Sequence, residues 1–106
     1  MGINVQTERN DRSVVGVPLL DIDGKVARAL AKAWTDDQKL YPIASSIDPY
    51  GDTLLNYLLT SLLLADIAQL KSEHPEDEAI LESISDFGEY VVQRPAERLF
   101  LAFIGD

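Results

Sequence analysis

Apolar residues recur along this chain at two spacings, every second residue in some stretches and every third or fourth in others, and each change of spacing marks an element. Residues 3–7 alternate, with Ile3 and Val5 on one side and Asn4 and Gln6 on the other. Residues 13–20 are again rich in Val and Leu, and the polar cluster Glu8-Arg9-Asn10-Asp11-Arg12 lies between the two runs. Two β-prone runs around a short polar loop predict a hairpin, with Pro18 ending the ladder or lying on an edge.

Helical spacing takes over after Asp21-Ile22-Asp23-Gly24. Val26, Ala27, Leu30, Ala31 and Trp34 form one stripe, and Lys25, Arg28 and Lys32 fall opposite, which predicts an amphipathic helix over 25–34 capped by Asp23. The pattern breaks at Thr35-Asp36-Asp37, and Tyr41-Pro42 marks a further boundary.

Asp48-Pro49-Tyr50-Gly51-Asp52 is the strongest punctuation in the chain. Either Asp48 caps a helix with Pro49 at its first position, or Pro49-Tyr50-Gly51 forms a turn and Asp52 caps. From 53 to 72 the pattern is helical, and its first half is apolar nearly all round (Leu54, Leu55, Tyr57, Leu58, Leu59, Leu62, Leu63, Leu64). Such a helix is expected to be surrounded by protein, as the centre of the core or as part of a dimer interface.

His74-Pro75-Glu76-Asp77-Glu78 opens another helix, with acids where the helix dipole favours them. Ile80, Leu81, Ile84, Phe87 and Val91 form its apolar stripe, and Pro95 stops it. Residues 99–104 are a short apolar run that predicts a strand joining the hairpin. The expected fold is α+β in a single domain spanning residues 1–106: three main helices, the Leu-rich one central, on a small sheet of the N-terminal hairpin and the C-terminal strand. The alternative is an all-α bundle in which residues 99–104 are helical.

Charge narrows the function classes. The formal net charge is −9. Residues 1–47 are neutral, whereas residues 48–106 hold three bases against twelve acids, so all of the excess lies in the second half. Lys and Arg drive binding to phosphate backbones and anionic lipid surfaces, so neither a nucleic acid nor a membrane is the expected partner. The longest apolar tract, 54–65, is interrupted by Asn56, Thr60 and Ser61 and falls short of the roughly 20 residues of a membrane span. A secretory leader is not expected either, because Glu8, Arg9, Asn10, Asp11 and Arg12 lie where it would be apolar. The chain has no cysteine, which excludes disulfides and thiolate chemistry. A cytoplasmic setting fits these features.

No catalytic set assembles from the residues. His74 is the sole histidine and reads as a solvated residue at a helix start. A nucleophile-elbow motif, a P-loop and a dinucleotide glycine pattern are all missing from the sequence, and no cofactor is called for. Asp48 and Asp52, with Asp21 and Asp23, offer hard oxygen ligands, but their spacing departs from a calcium loop. The acids that stand out are Glu73, Glu76, Asp77, Glu78, Glu82, Asp86 and Glu89. As a solvated face they need no further role; as an interaction surface they would steer a basic protein onto this chain. The expected partner-binding residues are therefore Asp48, Tyr50, Asp52, Glu76, Asp77, Glu78, Glu82, Asp86 and Glu89, with Tyr41, Tyr57 and Tyr90 as further candidate anchors. The rival expectation is a small metal-dependent enzyme or factor using Asp48, Asp52 and neighbouring carboxylates. A homodimer is the second expected assembly.

The opening Met1-Gly2-Ile3, the central Asp48-Pro49-Tyr50-Gly51-Asp52 with Asn56, and the terminal Phe103-Ile104-Gly105-Asp106 resemble a family of small uncharacterised bacterial proteins that share a DPYGD motif and end in FIGD. The likeness implies a bacterial cytoplasmic setting. In size and acidity the chain also resembles the immunity proteins that neutralise toxins, which implies a basic protein partner.

Overall fold

The structure is a computed structural model that describes residues 2–35 and 41–106. It bears out the α+β reading, with four strands and three α-helices among those residues. Strand β1 (Ile3–Glu8) pairs antiparallel with β2 (Val14–Leu19) as a hairpin. The C-terminal strand β4 (Phe100–Gly105) lies antiparallel on the other side of β1, with Val5 opposite Phe103 and Thr7 opposite Leu101. A fourth strand, β3 (Asp52–Leu55), extends the sheet beyond β4, so the order is β2-β1-β4-β3. The sequence pattern placed these residues at the start of the Leu-rich helix. Thr53 and Leu55 instead lie opposite Phe103 and Leu101 on β4, which makes them part of the sheet.

Helix α1 (Lys25–Thr35) has its apolar stripe in the core, with Val26, Leu30 and Ala33 fully buried. Its cap is not Asp23. The Asp21 carboxylate accepts from the amides of Val26 (2.8 Å) and Ala27 (3.1 Å), and also from Ile3 (2.8 Å). One side chain thus ties the start of β1 to the start of α1, while Asp23 occupies a left-handed backbone position, φ 59°. Asp36 and Asp37, where the helical pattern was expected to break, lie outside the described residues.

Helix α2 (Tyr57–Glu73) starts after Asn56, whose side chain accepts from the Leu59 amide at 2.9 Å. Neither Asp48 nor Asp52 caps it. Helix α3 (Glu78–Val92) crosses α2 closely at Gly88, where an added Cβ would lie 2.9 Å from Leu64 Cδ2. Ile3, Val5, Leu101 and Phe103 from the sheet meet Leu30, Leu63, Ile67, Leu81 and Ile84 in one buried cluster.

The inside of α2 also holds a carboxylate. Asp66 is buried and accepts from the amides of Ile43 and Ala44, both at 2.9 Å, fixing the segment before β3. Tyr41 is fully buried and donates to Glu73, so it is no surface anchor.

The expectation that α2 is surrounded by protein holds on one side only. Thr60, Leu63, Asp66, Ile67 and Leu70 are buried. Leu58 is 58% exposed and Leu62 is 55% exposed. Hydrophobicity all round the helix therefore combines a core face with a second, outward apolar face.

Candidate functional site: an acidic helix beside an apolar groove

Gly2, the turn at residues 48–52 and the terminal Ile104, Gly105 and Asp106, all within the segments quoted for the family resemblance, meet at one end of the sheet. Gly105 N–H donates to the Gly51 carbonyl at 2.9 Å, and Asp52 lies opposite Ile104 on the strand ladder. Gly2 N–H donates to the Asp106 carboxylate at 2.8 Å. Asp48 accepts from the Tyr50 amide at 2.9 Å, so the motif forms the turn of the second reading, with Asp52 opening β3 rather than capping a helix. Tyr50 projects from that turn, 73% exposed.

Asp52 faces a different group. Arg12, on the β1–β2 loop, donates to Asp52 at 2.8 Å and to Glu8, which is only 1% exposed. Gln6 donates to the same Glu8 carboxylate at 2.6 Å. The Asp52 and Glu8 carboxylates hold the Arg12 guanidinium above its ordinary pKa. Asp48 and Asp52 thus have separate local partners, and Asp21 serves three amides. Among the described residues no three His, Asp or Glu side chains gather as a metal would require.

The acids nearer α3 divide into three groups. Lys32 of α1 binds Glu76 at 2.8 Å and also Asp77, clasping α1 to the turn that precedes α3. Asp77 and then Glu76 raise the Lys32 ammonium above its ordinary pKa, and Lys32 in turn holds the Glu76 carboxyl below its own. These two acids hold the fold together. Glu82 pairs with Lys71 of α2, whose pKa is raised first by that bond and then by the charges of Glu82, Glu78 and Glu89. The carboxylates of Glu78, Asp86 and Glu89 form no ion pair or hydrogen bond among the described residues, and all three residues are exposed. Glu78, Glu82, Asp86 and Glu89 recur at helical spacing, so they make one stripe along α3.

Asp86 also borders a groove that periodicity did not disclose. A concavity of about 260 Å³ lies between α3 and β2, lined by Thr7, Val15, Gly16, Val17, Asp86, Phe87 and Tyr90. It exists because β2 is irregular. The strand register shifts between Val5/Leu19 and Thr7/Val15, and Gly16 takes a left-handed φ of 73°. The bulge leaves Val17 84% exposed. Bulges and an edge proline such as Pro18 discourage a further strand from pairing here, so the concavity suits side chains rather than strand addition. The sequence signal was Phe87 and Tyr90 next to Asp86, which a helix places on neighbouring lines.

The two groups of expected binding residues do not share a surface. Asp48, Tyr50 and Asp52 lie at the β3 edge of the sheet, and Asp86 faces the β2 edge at the opposite side. His74 is half-buried rather than solvated, with Nδ1 3.7 Å from Glu76 Oε2.

No family model, no curated protein and no solved structure matches the chain. Among the described residues no helix is long and apolar enough to cross a membrane.

Proposed function

We propose that this chain is a non-enzymatic acidic binding module, an immunity-type or regulatory inhibitor, working in the cytoplasm. It takes a basic protein partner on the outer side of α3. The observation that carries this reading is the position of Asp86. Among the described residues it is an exposed carboxylate without a cation of its own, flanked by the acids of α3, and it stands on the rim of an apolar groove. A partner segment with an apolar side chain beside Lys or Arg satisfies both features at once. The apolar group enters between Phe87, Tyr90 and Val15, and the cation meets Asp86. Long-range attraction between the acidic half and such a segment speeds encounter, and groove contacts slow release.

Fluorescence anisotropy of a labelled peptide in which Leu is flanked by Arg tests this. The native chain binds it at low salt and loses most of the affinity near 0.5 M salt, where the screening length is only a few ångströms. Replacing the peptide Leu with Ser weakens binding, because charge alone does not fill the groove. Equal binding of the Leu and Ser peptides, or none at either ionic strength, overturns the proposal.

A further inference from the structure

We infer that the outward face of α2 pairs with the same face of a second copy, the two helices running antiparallel about a two-fold axis near Ala65. The inference does not depend on the binding role of α3. The outward positions of α2 are led by Leu58, Ser61, Leu62, Ala65, Ala68 and Ser72, all exposed and none charged. The exposed sides of the other two helices are charged, by Lys25 and Arg28 on α1 and by Glu78, Glu82, Asp86 and Glu89 on α3. Two molecules of net charge −9 repel. Among these helical faces, that of α2 lets them touch without placing like charges together.

The order of residues on the face selects a second copy as its occupant. Read backwards about Ala65, large side chains meet small ones: Leu58 falls opposite the partner's Ser72, and Leu62 opposite the partner's Ala68. Ala65 faces its own symmetry mate, which lets the backbones approach closely. Glu73, the first charge past the face, falls opposite the partner's Tyr57, at a helix N-terminus where the dipole favours a carboxylate. A C2 contact needs such a self-complementary surface. A cationic partner drawn by the acids of α3 finds no carboxylate on this face. The helix has 17 residues and is about 25 Å long. A single helix pair of that length is near the lower limit of specific interfaces, about 1,000 Å² in all, which predicts a micromolar dimer rather than a nanomolar one.

Sedimentation equilibrium of the native chain tests the pairing. The mass rises from one copy to two between about 1 µM and about 1 mM. Added salt tightens the dimer by screening the mutual repulsion, opposite in sign to its effect on a basic peptide. Leu62→Glu raises the dissociation constant at least about tenfold and leaves the melting temperature of the dilute monomer unchanged, since Leu62 is exposed there. Because the chain has no cysteine, Ala65→Cys gives a disulfide-linked dimer under mild oxidation, whereas Ser72→Cys, roughly 10 Å along the helix from the axis in each copy, does not. A chain that stays monomeric to about 1 mM, a dimer indifferent to Leu62→Glu, or equal cross-linking at both positions overturns the inference.

Discussion

The Gly105 amide donates to the Gly51 carbonyl at 2.9 Å, joining the last strand to the turn before β3. The approach is close enough that a Cβ on Gly105 would lie 2.4 Å from the Pro49 carbonyl oxygen. Glycine is required there by space. Gly105→Ala is expected to destabilise the chain by about 1–3 kcal/mol, as overpacking does, measured as the urea midpoint. Gly51→Ala meets only the Asp48 carboxylate oxygen at 2.8 Å, which can rotate aside, so its cost is smaller.

Asp66 provides a second test of the interior. Its buried carboxylate accepts two amides. Asp66→Leu strands both donors and is expected to cost about 2–4 kcal/mol by chemical denaturation. Asp66→Asn keeps an oxygen in place and is expected to cost less.

Arg12 lies between a buried and an exposed carboxylate. Arg12→Met leaves Glu8 with Gln6 alone, whereas Asp52→Asn leaves the Arg12–Glu8 pair intact. The melting temperature is expected to fall further for Arg12→Met. Adding Glu8→Gln to it recovers part of the loss, because the charge that needed compensation is gone. Equal effects of the two single changes would contradict this account.

Acid reads a different contact. The Tyr41 hydroxyl, with help from Gln69, holds the Glu73 carboxyl below its ordinary pKa, and Lys32 does the same for Glu76. A carboxyl whose pKa is depressed on folding stabilises the fold above its unfolded pKa of about 4.3, and that contribution is lost as pH falls through the depressed folded value. Thermal stability is therefore expected to drop as pH falls below about 4.3. Tyr41→Phe removes the main cause at Glu73, so the drop becomes shallower. An unchanged pH profile in Tyr41→Phe would count against this assignment.

Much of the architecture is legible in the residues because local patterns carry it. The alternation of Ile3 and Val5 and the apolar terminal run mark the strands, and the stripe through Val26, Leu30 and Trp34 marks α1. Strand β3 was hidden because Thr53, Leu54 and Leu55 run directly into a Leu-rich helix with only Asn56 between, and a four-residue strand is too short to establish a period. The cap at Asp21 was hidden because it depends on Ile3, distant in sequence. At the candidate site the acids are legible as residues, but their availability is not. Lys32 occupies Glu76 and Asp77 through contacts spanning 44 and 45 positions. The groove depends on a bulge in β2, which no periodicity reports.

The most direct test of the central claim is a residue-resolved NMR titration of the native chain with the Arg-Leu-Arg peptide at low salt. The account predicts amide shifts centred on Val15, Val17, Asp86, Phe87 and Tyr90, abolished near 0.5 M salt and reduced in Asp86→Asn. Shifts centred on Tyr50 and the β3 edge, or none at about 1 mM peptide, would contradict it.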